Sequence, residues 1–156
     1  MNLIAATVQQ QIQARGRKDA KVAVIAWTLN KNGKVRYVLI TSTGNRVRWT
    51  LPKGTVEEGK TDEQVALEEC YEEGGVRGRR LKKLPGSYKI EGLPLTVFVM
   101  KVTKVLRNWP EHHERGRRLV SFKRAQEMLK KGGKKNKAML KALRDAHAQI
   151  KKTVGK

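Results

Sequence analysis

Three glutamates, Glu69, Glu72 and Glu73, are spaced i, i+3 and i+4, the interval at which one α-helix carries side chains on a common face. With Val65 set at zero and an advance of about 100° per residue, Glu72, Glu69 and Glu73 fall near −20°, 40° and 80°, between or beside Val65 and Ala66. Glu68 falls near 300° and points away from their centre. The helix therefore changes one stripe from small apolar residues to carboxylates, as expected where it packs on a sheet at one end and borders a cleft at the other. Like charges at this spacing repel, and partial burial raises their pKa values. A divalent cation relieves both costs, and oxygen-only donors suit Mg²⁺ or Mn²⁺ better than zinc. The helix geometry alone equally allows a charged helix whose carboxylates pair with surrounding Lys and Arg. The preceding loop favours the metal reading: Gly54 and Gly59 permit a close backbone approach, and Lys53 adds a cation.

The setting makes these acids conspicuous. The 156 residues hold 35 Lys and Arg against 14 Asp and Glu, a formal charge of +21. Eight of those fourteen acids, Glu57, Glu58, Asp62, Glu63, Glu68, Glu69, Glu72 and Glu73, lie between positions 57 and 73, where Lys60 is the one base. A carboxylate island in a cationic chain calls for a local cause. The surrounding field favours a polyanionic partner: nucleic acid, a nucleotide, a polyphosphate, an inositol phosphate or an anionic membrane surface. Cys70 is the one cysteine, so no disulfide forms within these residues and zinc or iron-sulfur spacings are absent. No window approaches the roughly 18 apolar residues of a membrane span, and the apolar patch from Leu3 to Val8 is too short for a secretion signal. The expectation is a cytoplasmic protein without stable membrane insertion; the sequence sets no oligomeric state.

The elements that must position the glutamates can be read in order. Val22 to Thr28 is a nearly continuous apolar run of strand length, Gly33 marks a turn, and Arg36 to Thr41 returns as an antiparallel partner. Val47 to Leu51 reads as a short extended piece ended by Pro52. Trp49 is a candidate for base stacking, although Val47 and Leu51 beside it favour a sheet-face role. Thr61 and Gln64 form a capping-box pattern that opens the helix, and Gly74 and Gly75 close it. Leu81 to Tyr88 is expected to be extended, Leu95 to Leu106 a strong strand, Leu119 to Phe122 a short strand, and Lys123 to Lys131 a helix. Asn136 to Lys152 places Met139, Leu140, Leu143, Ala146 and Ile150 along one side of a final helix. Strands interspersed with helices imply an α/β sandwich or α+β domain. The organisation expected is an N-terminal extension or first-strand region over 1–20, a main folded domain over 21–152 and a basic tail over 153–156.

The stretch Leu51 to Val76 closely resembles the signature of the Nudix hydrolases, G-x5-E-x7-R-E-U-x-E-E-x-G-U, where U is bulky and apolar. Gly54 matches the opening glycine, Glu69 the glutamate after the arginine, Glu72 and Glu73 the glutamate pair, Gly75 the closing glycine and Val76 the last position; Cys70 matches loosely. Lys60 stands where the pattern has its first glutamate, and Glu68 where it has arginine. This exchange of charge suggests a reversed Lys60–Glu68 pair. The resemblance, over roughly 21–150, implies an α/β/α sandwich with a mixed sheet. Glu69, Glu72 and Glu73 would then hold metal for water attack on a phosphate anhydride. Glu111, Glu114 or a box carboxylate is the candidate general base. Segment 109–131 further resembles enzymes that cleave diphosphoinositol polyphosphates or dinucleoside polyphosphates, making a polyphosphorylated small molecule the expected substrate.

Lys53 and Gly54 are candidate phosphate contacts, joined by Arg46 and Arg48 from before the box and by Arg115, Arg117 and Arg118 from the later loop. The basic clusters Arg77 to Lys83 and Lys130 to Lys137 would steer a highly charged substrate. The competing class is an RNA-binding or RNA 5′-end-processing protein, supported by charge but lacking a GXXG loop, an aromatic RNA-binding pair or a recognition helix. A third reading is a Nudix-like scaffold whose Lys60 and Glu68 have impaired catalysis. The intact glutamate triplet favours the enzyme.

Overall fold

The computed structural model describes residues 20–44 and 47–155. Most of the expected N-terminal region, together with Arg46, lies outside these residues. The elements run β1 (Lys21–Leu29), β2 (Val35–Thr41), β3 (Trp49–Thr50), β4 (Lys53–Thr55), α1 (Asp62–Gly74), β5 (Val76–Lys83), β6 (Tyr88–Ile90), β7 (Leu93–Val105), β8 (Arg117–Val120), α2 (Phe122–Lys130) and α3 (Lys137–Val154), with a 3₁₀ turn, Gly133–Asn136, before α3.

Among the described residues eight strands form one mixed sheet. Its main path is β3-β2-β1-β7-β5, with β4 paired to β1, β6 to β7 and β8 to β2. The β1–β7 pairing is parallel and the others are antiparallel. The apolar run in β1 is continuous because both faces of that strand are covered. Val22, Val24 and Ala26 join Val65, Ala66 and Cys70 of α1 in one core. Ala23, Ile25 and Trp27 join Ala125, Leu129, Leu143 and Ala146 of α2 and α3 in the other. The result is the expected α/β/α sandwich.

The antiparallel β1–β2 hairpin, the α1 capping box and the final packed helix agree with the sequence reading. Thr61 Oγ1 accepts from Gln64 N at 3.1 Å, and Gln64 Oε1 accepts from Thr61 N at 2.8 Å. Gly75 ends α1 at φ 61°, a left-handed conformation that glycine takes without the usual side-chain clash.

Three segments differ from expectation. The short strand expected over Leu119 to Phe122 is β8 over Arg117–Val120, because Arg117 and Arg118 pair with Ile40 and Leu39 of β2, and Phe122 already begins α2. Lys53–Thr55, read as loop, is strand β4, because its backbone pairs with Lys21 to Ala23. Val76–Lys83, of which the sequence marks only the part from Leu81 as extended, is β5 throughout; its pairing with β7 overrides a composition that shows little apolar alternation. The split of one edge of β1 between β2 at Trp27 to Leu29 and β4 at Lys21 to Ala23 brings Lys53 and Gly54 beside the acidic face of α1.

Candidate functional site

Glu73 lies at the centre of the site. Although only 8% exposed, its carboxylate is fully engaged: Oε1 accepts from Lys53 N at 3.0 Å and Oε2 from an Arg115 guanidinium nitrogen at 3.0 Å. Arg115 also donates to Glu111 Oε1 at 2.8 Å and to the Thr41 carbonyl at 3.0 Å. One planar cation thus ties α1, the end of β2 and the loop before β8 together. Burial pushes the Glu73 carboxyl above its usual range, against the Lys53 N–H and the Arg115 charge.

Glu69 lies one helical turn earlier. A Cβ added at Gly54 would come within 2.6 Å of the Glu69 carboxyl carbon and Oε1, so the bare β4 backbone forms a cradle for that carboxyl. Burial, followed by the charges of Glu73 and Glu72, raises Glu69 to about 8. Glu72 is exposed at the rim. Oxygen-only carboxyl donors, mutual repulsion and a side-chain-free wall at Gly54 fit a hard divalent cation. Among the described residues, however, no three Asp, Glu, His or Cys side chains stand gathered so as to hold a metal ion as they are. The cation Arg115 instead occupies one side of Glu73.

The last turn of α1 would leave carbonyls without helical partners, and the distant 106–117 segment supplies donors. Glu111 N bonds the Glu72 carbonyl at 3.0 Å, Trp109 Nε1 the Glu73 carbonyl at 3.0 Å, and Leu106 N the Gly75 carbonyl at 2.8 Å. Arg117 reaches the carbonyls of Gly74 and Gly75 at 3.1 and 3.2 Å while stacking 4.2 Å from the Trp109 ring centroid. Its charge also complements the negative end of the helix dipole. Any side chain at Gly75 would strike Trp109 and Arg117 at 2.6 Å.

A basic cleft of about 150 Å³ adjoins Lys53, with Lys21, Arg48 and Lys135 among its lining residues. Arg48 Nε is buried with no hydrogen-bond partner among the described residues. Lys53 is lowered by burial, a cost opposed by the Glu73 charge and increased by Arg48, Arg115 and Lys21. Crowded cations around an orphaned donor present the complement of an anionic group.

The candidates named from sequence therefore separate. Glu69, Glu73, Glu111, Lys53, Gly54 and Arg115 come together; Glu72 flanks them, and Arg48 lines the adjoining cleft. Arg117 is committed to the end of α1. Arg118 lies 5.4 Å from the Trp49 ring centroid, and Glu114 is exposed with its backbone N bonded to the Glu111 carbonyl. Trp49 itself packs against the core beneath α2 and α3, as its neighbours suggested. The expected Lys60–Glu68 pair forms at 2.8 Å, with Lys60 also 3.0 Å from Glu57.

Sequence reasoning missed Lys21, Thr41 and the capping role of Trp109. Lys21 is separated from Lys53 by 32 positions and is brought close by the β1–β4 register. Lys135 had a signal in the Lys130 to Lys137 cluster, without an indication of which lysine borders the cleft, where it stands exposed 3.8 Å from Glu91.

The fold and this constellation define a Nudix protein: the NUDIX domain profile matches residues 19–143, and the chain belongs to that hydrolase superfamily. It is 35% identical to Nudix hydrolase 12, mitochondrial, of Arabidopsis thaliana over 106 residues, covering 60% of this chain and 52% of the relative. It is 33% identical to human diphosphoinositol polyphosphate phosphohydrolase 3-alpha over 89 residues, covering 55% of this chain and 54% of that protein. The chain thus spans about half the length of each of these two relatives. A C. elegans Ap4A hydrolase in a binary complex has the same fold with a TM-score of 0.62 at 18% identity, covering 84% of this chain and 96% of the other. Among the described residues no helix is long and apolar enough to cross a membrane.

Proposed function

We propose that the protein is a cytoplasmic, metal-dependent pyrophosphohydrolase that cleaves a phosphate anhydride in a polyphosphorylated small molecule. A diphosphoinositol polyphosphate or a dinucleoside polyphosphate is the preferred substrate class. The observation that carries this reading is the contact between two opposite environments: the Glu69–Glu73 carboxylate centre and the cleft of Lys21, Arg48, Lys53 and Lys135. A phosphate chain seated on the cations would reach the carboxylates with its anhydride bond. The names of the human and C. elegans relatives support the same two substrate classes.

Glu69, Glu72 and Glu73 would hold Mg²⁺ or Mn²⁺. When bound, the ion supplies charge neutralisation at phosphate oxygens and lowers the pKa of bound water. Lys53 and Arg48 bind and orient the phosphates, placing positive charge where charge shifts during phosphoryl transfer. Arg115 is a positioning residue, fixing Glu73 and Glu111 through its forked donors. A carboxylate of this group or Glu114 takes a proton from the attacking water as its oxygen bonds phosphorus. The anhydride P–O bond breaks, and its electron pair leaves with the departing phosphate. The Lys60–Glu68 bond restores an opposite-charge pair at the two exchanged positions and favours an intact enzyme over an impaired scaffold.

The test is release of phosphate from purified protein over a panel of diphosphoinositol polyphosphates, dinucleoside polyphosphates and capped or triphosphorylated RNA ends, with each metal. Turnover of a soluble polyphosphate that chelation abolishes is the expected result. Inactivity across the panel with both metals would overturn the proposal.

A further inference from the structure

The opposite side of the sheet carries a second basic surface that the carboxylate site does not use. β5 is the last strand on the main sheet path, and it exposes Arg79, Arg80 and Lys82 beside Lys101 of β7, while Arg77 stacks 4.3 Å from the ring centroid of Tyr71 in α1 and Lys83 stands opposite Phe98, which packs in the α1 core. Basic residues on an edge strand discourage edge-to-edge pairing. That role leaves the neighbouring strand unexplained: Arg79 stands opposite Lys101 and Arg77 opposite Lys104, and like charges directly opposite destabilise a sheet. Among the described residues, Arg79, Arg80, Lys82, Lys101 and Lys104 have no acidic partner.

The backbone adds an independent feature. The β5–β7 register shifts between Arg79 and Lys82, where Arg80 adopts φ 58°. A non-glycine residue in the left-handed region is uncommon, because its Cβ crowds the neighbouring backbone. Here the irregularity accompanies the placement of Arg80 on the rim of a cleft of about 510 Å³, with Lys82, Lys101 and Lys152. The apolar lining includes Trp27, Val99 and Ile150, all at most 8% exposed. Lys101 Nζ sits 5.4 Å from the Trp27 ring centroid.

Cations around a recessed apolar slot combine the two contacts made by a nucleotide in a strand, electrostatic attraction for phosphates and an apolar surface for a base. Of the large apolar residues that line the cleft Leu29 is 38% exposed, while Trp27, Val99 and Ile150 lie below the charged rim, so a membrane surface, which needs several side chains to insert together, fits less well. The cleft belongs to the α2–α3 side of the sheet, whereas Glu69 projects from α1 on the other side.

We propose that the β5–β7 edge and this cleft bind a single-stranded polynucleotide, with phosphates along Arg79, Arg80, Lys82 and Lys101 and one base against the apolar lining. This site does not depend on the hydrolase reading.

The test measures fluorescence anisotropy of a labelled oligouridylate of roughly ten nucleotides with the full chain, between about 50 and 200 mM salt. Arg79→Glu combined with Lys82→Glu should weaken binding at least about tenfold and reduce the logarithmic salt slope by roughly two. The melting temperature should not fall, since Arg79→Glu replaces a repulsive cross-strand pair with an attractive one opposite Lys101. Lys130→Glu combined with Lys131→Glu makes the same charge change at the C-terminal end of α2, a helix that packs toward β2 and β3 at the other end of the sheet. That control should weaken binding by less than about threefold. Equal losses in the two double variants, or absence of oligonucleotide binding, would overturn the site. So would uridine monophosphate competing as well as the oligomer. Capture on phosphatidylserine vesicles that Arg79→Glu/Lys82→Glu abolishes, with RNA affinity unchanged, would assign the surface to a membrane and defeat the proposal.

Discussion

The α1 end and the β5 edge each crowd like charges, but their surroundings treat that charge differently. At α1, carboxylates are drawn inward and partly answered by Arg115, Lys53 N–H and the bare backbone at Gly54. At β5, cations face outward and oppose further cations on β7 without acidic partners among the described residues. Burial makes the first region electrostatically sensitive and locally ordered. Solvent screening lets the second remain open. The contrast teaches that net charge alone is a poor guide to a site: the chemistry proposed for this chain centres on its acidic minority.

The largest expected effect comes from Glu72→Gln, which retains shape while removing a carboxylate from the proposed metal group. Turnover in the phosphate-release assay should fall by at least about 100-fold, with little change in melting temperature. Oligonucleotide affinity should remain unchanged. Equal turnover would remove Glu72 from the catalytic account, and a parallel loss of oligonucleotide binding would break the separation of the two regions.

Arg115→Ala should affect stability more than any exposed substitution, because it leaves Glu73 buried without its charged partner. The expected loss is about 3 kcal/mol, read as a fall of roughly 6–12 °C in melting temperature for a chain of this size. Arg115→Lys keeps the charge but not the fork that joins Glu73 to Glu111 and Thr41. It should recover much of the stability while leaving turnover impaired. Full turnover in the lysine variant would show that the forked geometry does not position the carboxylates.

The raised Glu69 pKa predicts how pH acts on the metal-free protein. The folded state holds a proton on Glu69 up to about 8, whereas the unfolded carboxyl releases it near its ordinary 4.5. The stabilising contribution is present below 4.5 and is lost as pH rises through about 8. Thermal melting across this range should show declining metal-free stability relative to Glu69→Gln. Added Mg²⁺ should stabilise the original protein more at the upper end, where proton competition has disappeared. Identical pH dependence in the two proteins would remove Glu69 as the source.

The smallest effect should come from restoring the family charges with Lys60→Glu and Glu68→Arg together. Both partners are exposed, so melting should be unchanged within error. Turnover should shift by less than about tenfold. Each single substitution should perturb turnover more than the pair, because it places like charges together.

Local sequence carried enough information for α1, its capping box and the common phase of Glu69, Glu72 and Glu73, because helical spacing and terminal hydrogen bonds act over a few residues. The apolar runs of β1 and β7 were equally legible, since each buries a strand of ordinary composition. The basic first part of β5, Val76 to Arg80, was not: its backbone pairing to β7 outweighs what its side chains suggest. Local periodicity also had no means to choose Arg115 over Arg117 and Arg118. Tertiary structure decides that by aiming Arg115 into Glu73, drawing Arg117 to the carbonyl end of α1 and leaving Arg118 beside Trp49. The physical reason is the same in each case: sequence spacing sets the direction of a side chain on its own element, while burial and the charges on facing elements select its partner.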